Sequence, residues 1–131
     1  MEFVVKGKDN FRFEIPDEWL SQAGFDSFCL NSDYYEIPTK FDSKRVLLLD
    51  HSCIYPRKRN NGVLEYRKES MINFLCRIRC NQPIDPIIIM KPSTDNGFEY
   101  WLKDGYHRYR ASFAAGFKKI PAILEFNPDI E

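Results

Sequence analysis

Apolar and polar residues alternate over residues 2–6 and again over Phe11-Arg12-Phe13-Glu14-Ile15, the period-two pattern of strands buried on one face, with a Gly-containing turn at 7–10 between them. Pro16-Asp17-Glu18-Trp19-Leu20 then reads as a helix start. Proline suits a first turn, where no amide bond is lost, the two acids favour the positive helix end, and Gly24 is the natural stop. Residues 31–45 are polar and turn-rich, and Val46-Leu47-Leu48-Leu49 is expected to be a buried strand. Asn60-Asn61-Gly62 marks a turn. From about Leu64 to Cys80, apolar residues at Leu64, Met71, Phe74, Leu75 and Ile78 keep a helical spacing, which Pro83 cannot continue.

The pattern then switches to short β-branched runs. Residues 86–90 predict a buried strand, Ser93-Thr94-Asp95-Asn96-Gly97 a hairpin-type loop, and residues 98–102 another strand broken by Asp104-Gly105. Tyr109, Phe113 and Phe117 line one helical face, with Gly116 placed to close that helix, and residues 120–126 form a last strand. Helix, strand, loop, strand, helix, strand within the second half predicts an α+β fold: a small mixed sheet flanked by helices.

A length of 131 residues suits a single domain spanning 1–131, and 44% hydrophobic with 29% charged residues excludes a disordered or fibrous chain. Eleven Phe and seven Tyr can fill a small core. No apolar run approaches a membrane span, the start Met1-Glu2-Phe3-Val4-Val5-Lys6 lacks the features of a signal peptide, and four cysteines are too few for a disulfide scaffold. A cytoplasmic location is therefore expected.

The net charge is zero, but its distribution is uneven. Residues 1–39 carry 3 basic and 8 acidic side chains, residues 40–80 carry 10 and 4, and residues 81–131 carry 6 and 7. The basic third, densest at Arg57-Lys58-Arg59, suits an anion such as a nucleotide phosphate or a nucleic-acid backbone; equally it suits a solvated face balanced by the acidic N-terminal third.

The chemistry concentrates at Asp104-Gly105-Tyr106-His107-Arg108. A glycine between strand and helix permits a tight turn and close ligand approach, and the helix start presents free N–H groups and the positive dipole end. His107 and Arg108 add donors for an anion, although cations in a first helical turn oppose the dipole by about 0.3–1 kcal/mol each. Alternatively, they pair with Asp104 or another carboxylate and only fix the turn.

The stretch from Gln82-Pro83-Ile84-Asp85-Pro86 through Asp104-Gly105-Tyr106-His107-Arg108-Tyr109-Arg110-Ala111 to Ile120-Pro121-Ala122 resembles the ParB N-terminal and sulfiredoxin superfamily. The resemblance covers residues 54–126 and leaves 1–50 as an N-terminal αβ extension. It implies a ParB/sulfiredoxin-like fold and a nucleotide (ATP, ADP or CTP, with Mg2+) at a phosphate turn of Gly105, Tyr106, His107 and Arg108. It also implies that Arg67 and Ser70 match the nucleotide-contacting pair of the preceding helix, and that Arg57 or Arg59 matches an arginine near the reaction centre. Tyr106 stands where sulfiredoxin has its cysteine, and a phenol cannot replace that thiolate, so sulfinic-acid reductase activity is expected to be absent. Because the chain ends at Glu131, without the downstream DNA-reading and dimerisation segments, it is not expected to be a complete partition protein.

Weaker constellations surround this turn. Asp104 and Glu65 are candidate acids for magnesium or for proton transfer, so Asp104, Glu65, His107 and Arg108 form the candidate catalytic set for phosphoryl transfer or nucleotide hydrolysis. Cys76 and Cys80, four apart on a helix, are expected to be buried thiols rather than half of a zinc site, and His51 an ordinary loop histidine. Three functions remain open: a nucleotide-binding protein; a DNA-binding or nuclease-like module using the basic third; and a non-catalytic antitoxin- or immunity-like partner whose contact surface includes Trp19, Tyr34 and Tyr35.

Overall fold

The structure is a computed structural model and describes residues 1–6, 11–24, 35–42, 44–56, 67–92 and 98–125. Strands β1 (Glu2–Val5) and β2 (Phe11–Glu14) pair antiparallel in register Glu2 to Glu14. The alternation turns Phe11 and Phe13 inward and leaves Arg12 and Glu14 exposed. Helix α1 (Asp17–Gln22) follows Pro16, with Asp17 and Glu18 in its first turn as the sequence predicts.

Strand β3 (Val46–Asp50), a 3-10 turn at His51–Cys53 and strand β4 (Ile54–Tyr55) come next. After them stand helix α2 (Lys68–Arg79), strands β5 (Ile87–Met90) and β6 (Tyr100–Asp104), helix α3 (Tyr106–Ala114) and strand β7 (Lys119–Leu124). The five later strands form one mixed sheet in the order β3-β7-β5-β6-β4. β3–β7 and β5–β6 are antiparallel; β5–β7 and β4–β6 are parallel.

Several sequence expectations need correction. The run 46–49 is not a buried strand: among the described residues β3 is a sheet edge, and Leu48 stays 43% exposed. α2 starts at Lys68 rather than near Leu64, which lies outside the described residues. It ends before Pro83 is reached, because Asn81 takes a left-handed φ of 56° and the amide of Gln82 turns back to the Arg77 carbonyl at 2.8 Å. β5 begins after Pro86, whose nitrogen carries no hydrogen. β6 runs over 100–104 rather than 98–102, and β7 over 119–124 rather than 120–126. The expected turn at 60–62 and hairpin loop at 93–97 lie outside the described residues. Gly116 closes α3 as expected, at φ +95°, with Phe117 N–H donating to the Ser112 carbonyl.

One apolar cluster joins these elements. Met71, Leu75 and Ile78 of α2, which packs on α1 and α3, share this cluster with Ile87, Ile89, Ile120 and Ala122 of the sheet, and each large buried side chain is worth about 1.5–3 kcal/mol. Val5, Phe11, Phe13 and Ile15 of the hairpin region belong to the same cluster; Phe11 packs edge-on to Tyr109 and Phe13 to Phe113. β3, from the expected extension, is hydrogen-bonded into the sheet itself.

His51 is not an ordinary loop histidine but opens the 3-10 turn. It is fully buried, its Nε2 is 2.9 Å from Ser112 Oγ, and its ring meets Tyr109 and Phe113 edge-on. The expectation of buried thiols also fails in part: Cys76 is half-buried and donates weakly to the Ala23 carbonyl, while Cys80, at the end of α2, is exposed.

Candidate functional site

The junction of β6 and α3 is shaped by two local devices. Opposite β5, Ile88 pairs with Asp104 but Ile89 with Leu102, so Lys103 is an extra residue in β6 that bends the strand just before the turn. Gly105 then occupies the N-cap of α3 at φ +106°. A Cβ here would lie 2.6 Å from Ile87 Cγ2, so β5 passes against the turn at a distance only glycine allows. The cap residue therefore brings no side-chain oxygen to the first-turn amides of Tyr106, His107 and Arg108.

These residues border a cavity of about 410 Å³, lined by Phe74, Arg77, Ile84, Asp85, Asp104, Gly105, Tyr106, His107 and Arg108. Two arginines and two aspartates thus face the same space as a helix N-terminus. An apolar wall of Phe74, Ile84 and Tyr106 stands beside them.

Each predicted side chain has a defined post. Arg108, with its side chain only 14% exposed, directs Nη1 to the carbonyls of Asp85 (3.1 Å) and Pro86 (2.9 Å), while its Nη2 lies 3.6 Å from Asp104 Oδ2. Asp104 accepts the Gly105 amide at 2.8 Å and is itself 76% exposed. Arg108 and Asp104 thus make the turn-fixing pair that the sequence allows, on the rim of the cavity. His107 Nε2 accepts the Arg67 amide at 2.9 Å, so that nitrogen carries no proton and the imidazole ties the start of α2 to the start of α3. Arg67 comes to the site through its main chain, as the N-cap of α2. Ser70 lies in the first turn of α2 on the face that bears Phe74 and Arg77, at spacings of four and seven, but does not line the cavity. Arg57, Arg59 and Glu65 lie outside the described residues.

Tyr106 is braced from behind. The Arg110 guanidinium, fully buried, lies 3.3 Å from the centre of the Tyr106 ring and 4.9 Å from that of Phe11, and its Nη1 donates to the Tyr106 carbonyl at 3.2 Å. Sequence reasoning missed Phe74, Arg77, Ile84 and Asp85. The helical spacing from Ser70 marks the first two; the others reach the cavity only through tertiary packing. Among the described residues no group of three or more His, Cys, Asp or Glu side chains could hold a metal ion, and no helix is long and apolar enough to cross a membrane.

The fold is a ParB/sulfiredoxin-like α+β fold. Two solved structures are similar to this chain. The C-terminally truncated chromosome-partitioning protein ParB from Caulobacter crescentus, complexed with CTP-γ-S, is 25% identical with a TM-score of 0.51. That match covers 65% of this chain and 46% of the ParB chain, so this protein spans less than half of its length. Sulfiredoxin from Arabidopsis thaliana is 18% identical with a TM-score of 0.49, over 63% of this chain and 85% of its own. No protein-family model and no curated protein sequence matches the chain.

Proposed function

We propose that this protein binds the phosphates of a nucleotide in the cavity at the start of α3. The observation that carries the reading is the cavity itself: first-turn amides behind a left-handed glycine, with Arg77 and Arg108 on the same walls. The CTP-γ-S carried by the similar ParB structure supports it. The volume of about 410 Å³ is in the range of small-molecule sites, and the wall of Phe74, Ile84 and Tyr106 suits the apolar face of a base or ribose.

Asp85 and Asp104 would repel a bare polyphosphate. A divalent cation carried in by the phosphates would find these two carboxylates and would neutralise developing charge during phosphoryl transfer. In that reaction Asp104, the exposed acid on the rim, is the group placed to hold the cation or to accept a proton, and Arg108 the group placed to hold the phosphate.

Calorimetric titration with CTP, ATP and ADP, with and without magnesium, tests the reading, and phosphate release tests turnover. Arg108→Ala should weaken the preferred nucleotide about ten- to a hundredfold, the worth of a charge-assisted hydrogen bond. Arg108→Lys, which keeps the charge and a donor to the carbonyls, separates loss of grip from loss of fold. Equal affinity in wild type and both variants would remove Arg108 from the site; no binding by the wild type at millimolar nucleotide would end the proposal.

A further inference from the structure

A buried polar atom has no partner among the described residues. Tyr35 is 4% exposed, its ring packs edge-on to Phe117, and its hydroxyl has no hydrogen-bond partner among the described residues. Such atoms are rare because an unmet buried donor is costly, so each calls for a reason.

Its surroundings supply one. The Ile84 amide donates to the Glu36 carbonyl at 2.9 Å, which holds residues 35–36 alongside the stretch 84–86. The carbonyls of Asp85 and Pro86 in that stretch are the two that Arg108 Nη1 occupies. The Tyr35 phenol lies within the electrostatic reach of both Arg108 and Asp85, and burial pushes its pKa upward, so at neutral pH it is a protonated donor. An arginine resting on two main-chain carbonyls and a hydroxyl without a partner among the described residues are complementary halves of an exchange.

We infer that Arg108 has two positions and that Tyr35 serves the second: when the guanidinium leaves the Asp85 and Pro86 carbonyls to hold a phosphate, the Tyr35 hydroxyl donates to one of the carbonyls left behind. Tyr35 is then a positioning residue that makes the release of Arg108 less costly. The inference rests on the cavity being a phosphate site, and it gives a segment outside the resembling core a part in that site.

Tyr35→Phe in the full chain tests it through two readouts of opposite sign. Without nucleotide, removal of the unmet hydroxyl should raise Tm by about 3 °C. Titrated with Mg·CTP and Mg·ATP, the same variant should bind about fivefold more weakly. In an Arg108→Ala background, where no side chain rests on the carbonyls in either state, the affinity penalty of Tyr35→Phe should fall below about twofold. A lower Tm would mean that the hydroxyl is already satisfied and would overturn the inference. So would unchanged affinity, which leaves the nucleotide site itself standing. Absence of binding by the wild type removes the site and the exchange together.

Discussion

Gly105 carries two independent constraints. Its φ of 106° is a conformation that side-chain-bearing residues pay about 1–2 kcal/mol to adopt, and a Cβ would press on Ile87 at 2.6 Å. Overpacking adds about 1–3 kcal/mol. Gly105→Ala should therefore cost about 2–5 kcal/mol in urea unfolding, and a loss below about 1 would show that the turn relaxes freely. His51 sets a different test. Burial pushes its pKa down to about 4, so the folded protein holds the ring neutral while the unfolded chain takes up a proton near pH 6.5. The unfolded state binds more protons between these values, so stability is full above about pH 6.5 and is lost as pH falls toward 4. The loss amounts to about 3 kcal/mol. Carboxylates titrate at the lower end of this window, so the measurement is the difference in urea midpoint between wild type and His51→Asn at pH 7 and pH 4.5. Parallel curves would mean that the ring is solvated. The sequence shows both residues plainly, yet it reveals only one role. Gly105 is legible because strand, glycine and helix are neighbours in the chain. His51 is not, because Ser112, Tyr109 and Phe113 reach it only across about sixty residues of chain.

Between elements, the coupling that matters runs from the β1–β2 hairpin to α3. Phe11 and Tyr106 both stack on the Arg110 guanidinium, which lies fully buried, so the hairpin braces the helix turn that lines the cavity. A double-mutant cycle of Phe11→Leu and Arg110→Met should show about 1 kcal/mol of coupling in thermal or urea unfolding. Additive effects would mean that the rings and the cation do not depend on each other. The sequence hides this link, because Phe11 stands in a strand alternation and Arg110 at the end of a motif about a hundred residues away. Helical and strand periods were legible wherever one face is buried, as in α2 at Met71, Leu75 and Ile78. They misled at β3, where an apolar run proved to be a sheet edge, and they gave no sign of β4, whose two residues carry no period. The site followed the same division. Its glycine and arginine stand in one motif, whereas Arg77 and Asp85 arrive from α2 and the approach to β5.

For the molecule as a whole, the resembling stretch and the folded unit do not share a boundary. The likeness to sulfiredoxin and ParB was read over residues 54–126, but the sheet takes its edge strand from 46–50 and the core takes Val5, Phe11, Phe13 and Ile15 from the start of the chain. At about 1.5–3 kcal/mol for each large apolar side chain, those four hairpin-region residues contribute roughly 6–12 kcal/mol. That is as much as the whole net stability of a typical domain, about 5–15 kcal/mol. Losing them would also uncover the Arg110 guanidinium beneath Phe11. A chain of residues 16–131 should therefore lose its cooperative transition, seen as a broad, sloping circular-dichroism melt and a collapsed spread of amide resonances. A sharp melt within a few degrees of the full chain, with dispersed resonances, would make the hairpin an accessory. Residues 16–131 would then be the unit to test for nucleotide. The expected result instead makes the hairpin part of the same cooperative unit as the cavity, because the rings that complete its core are those that hold Arg110 against Tyr106.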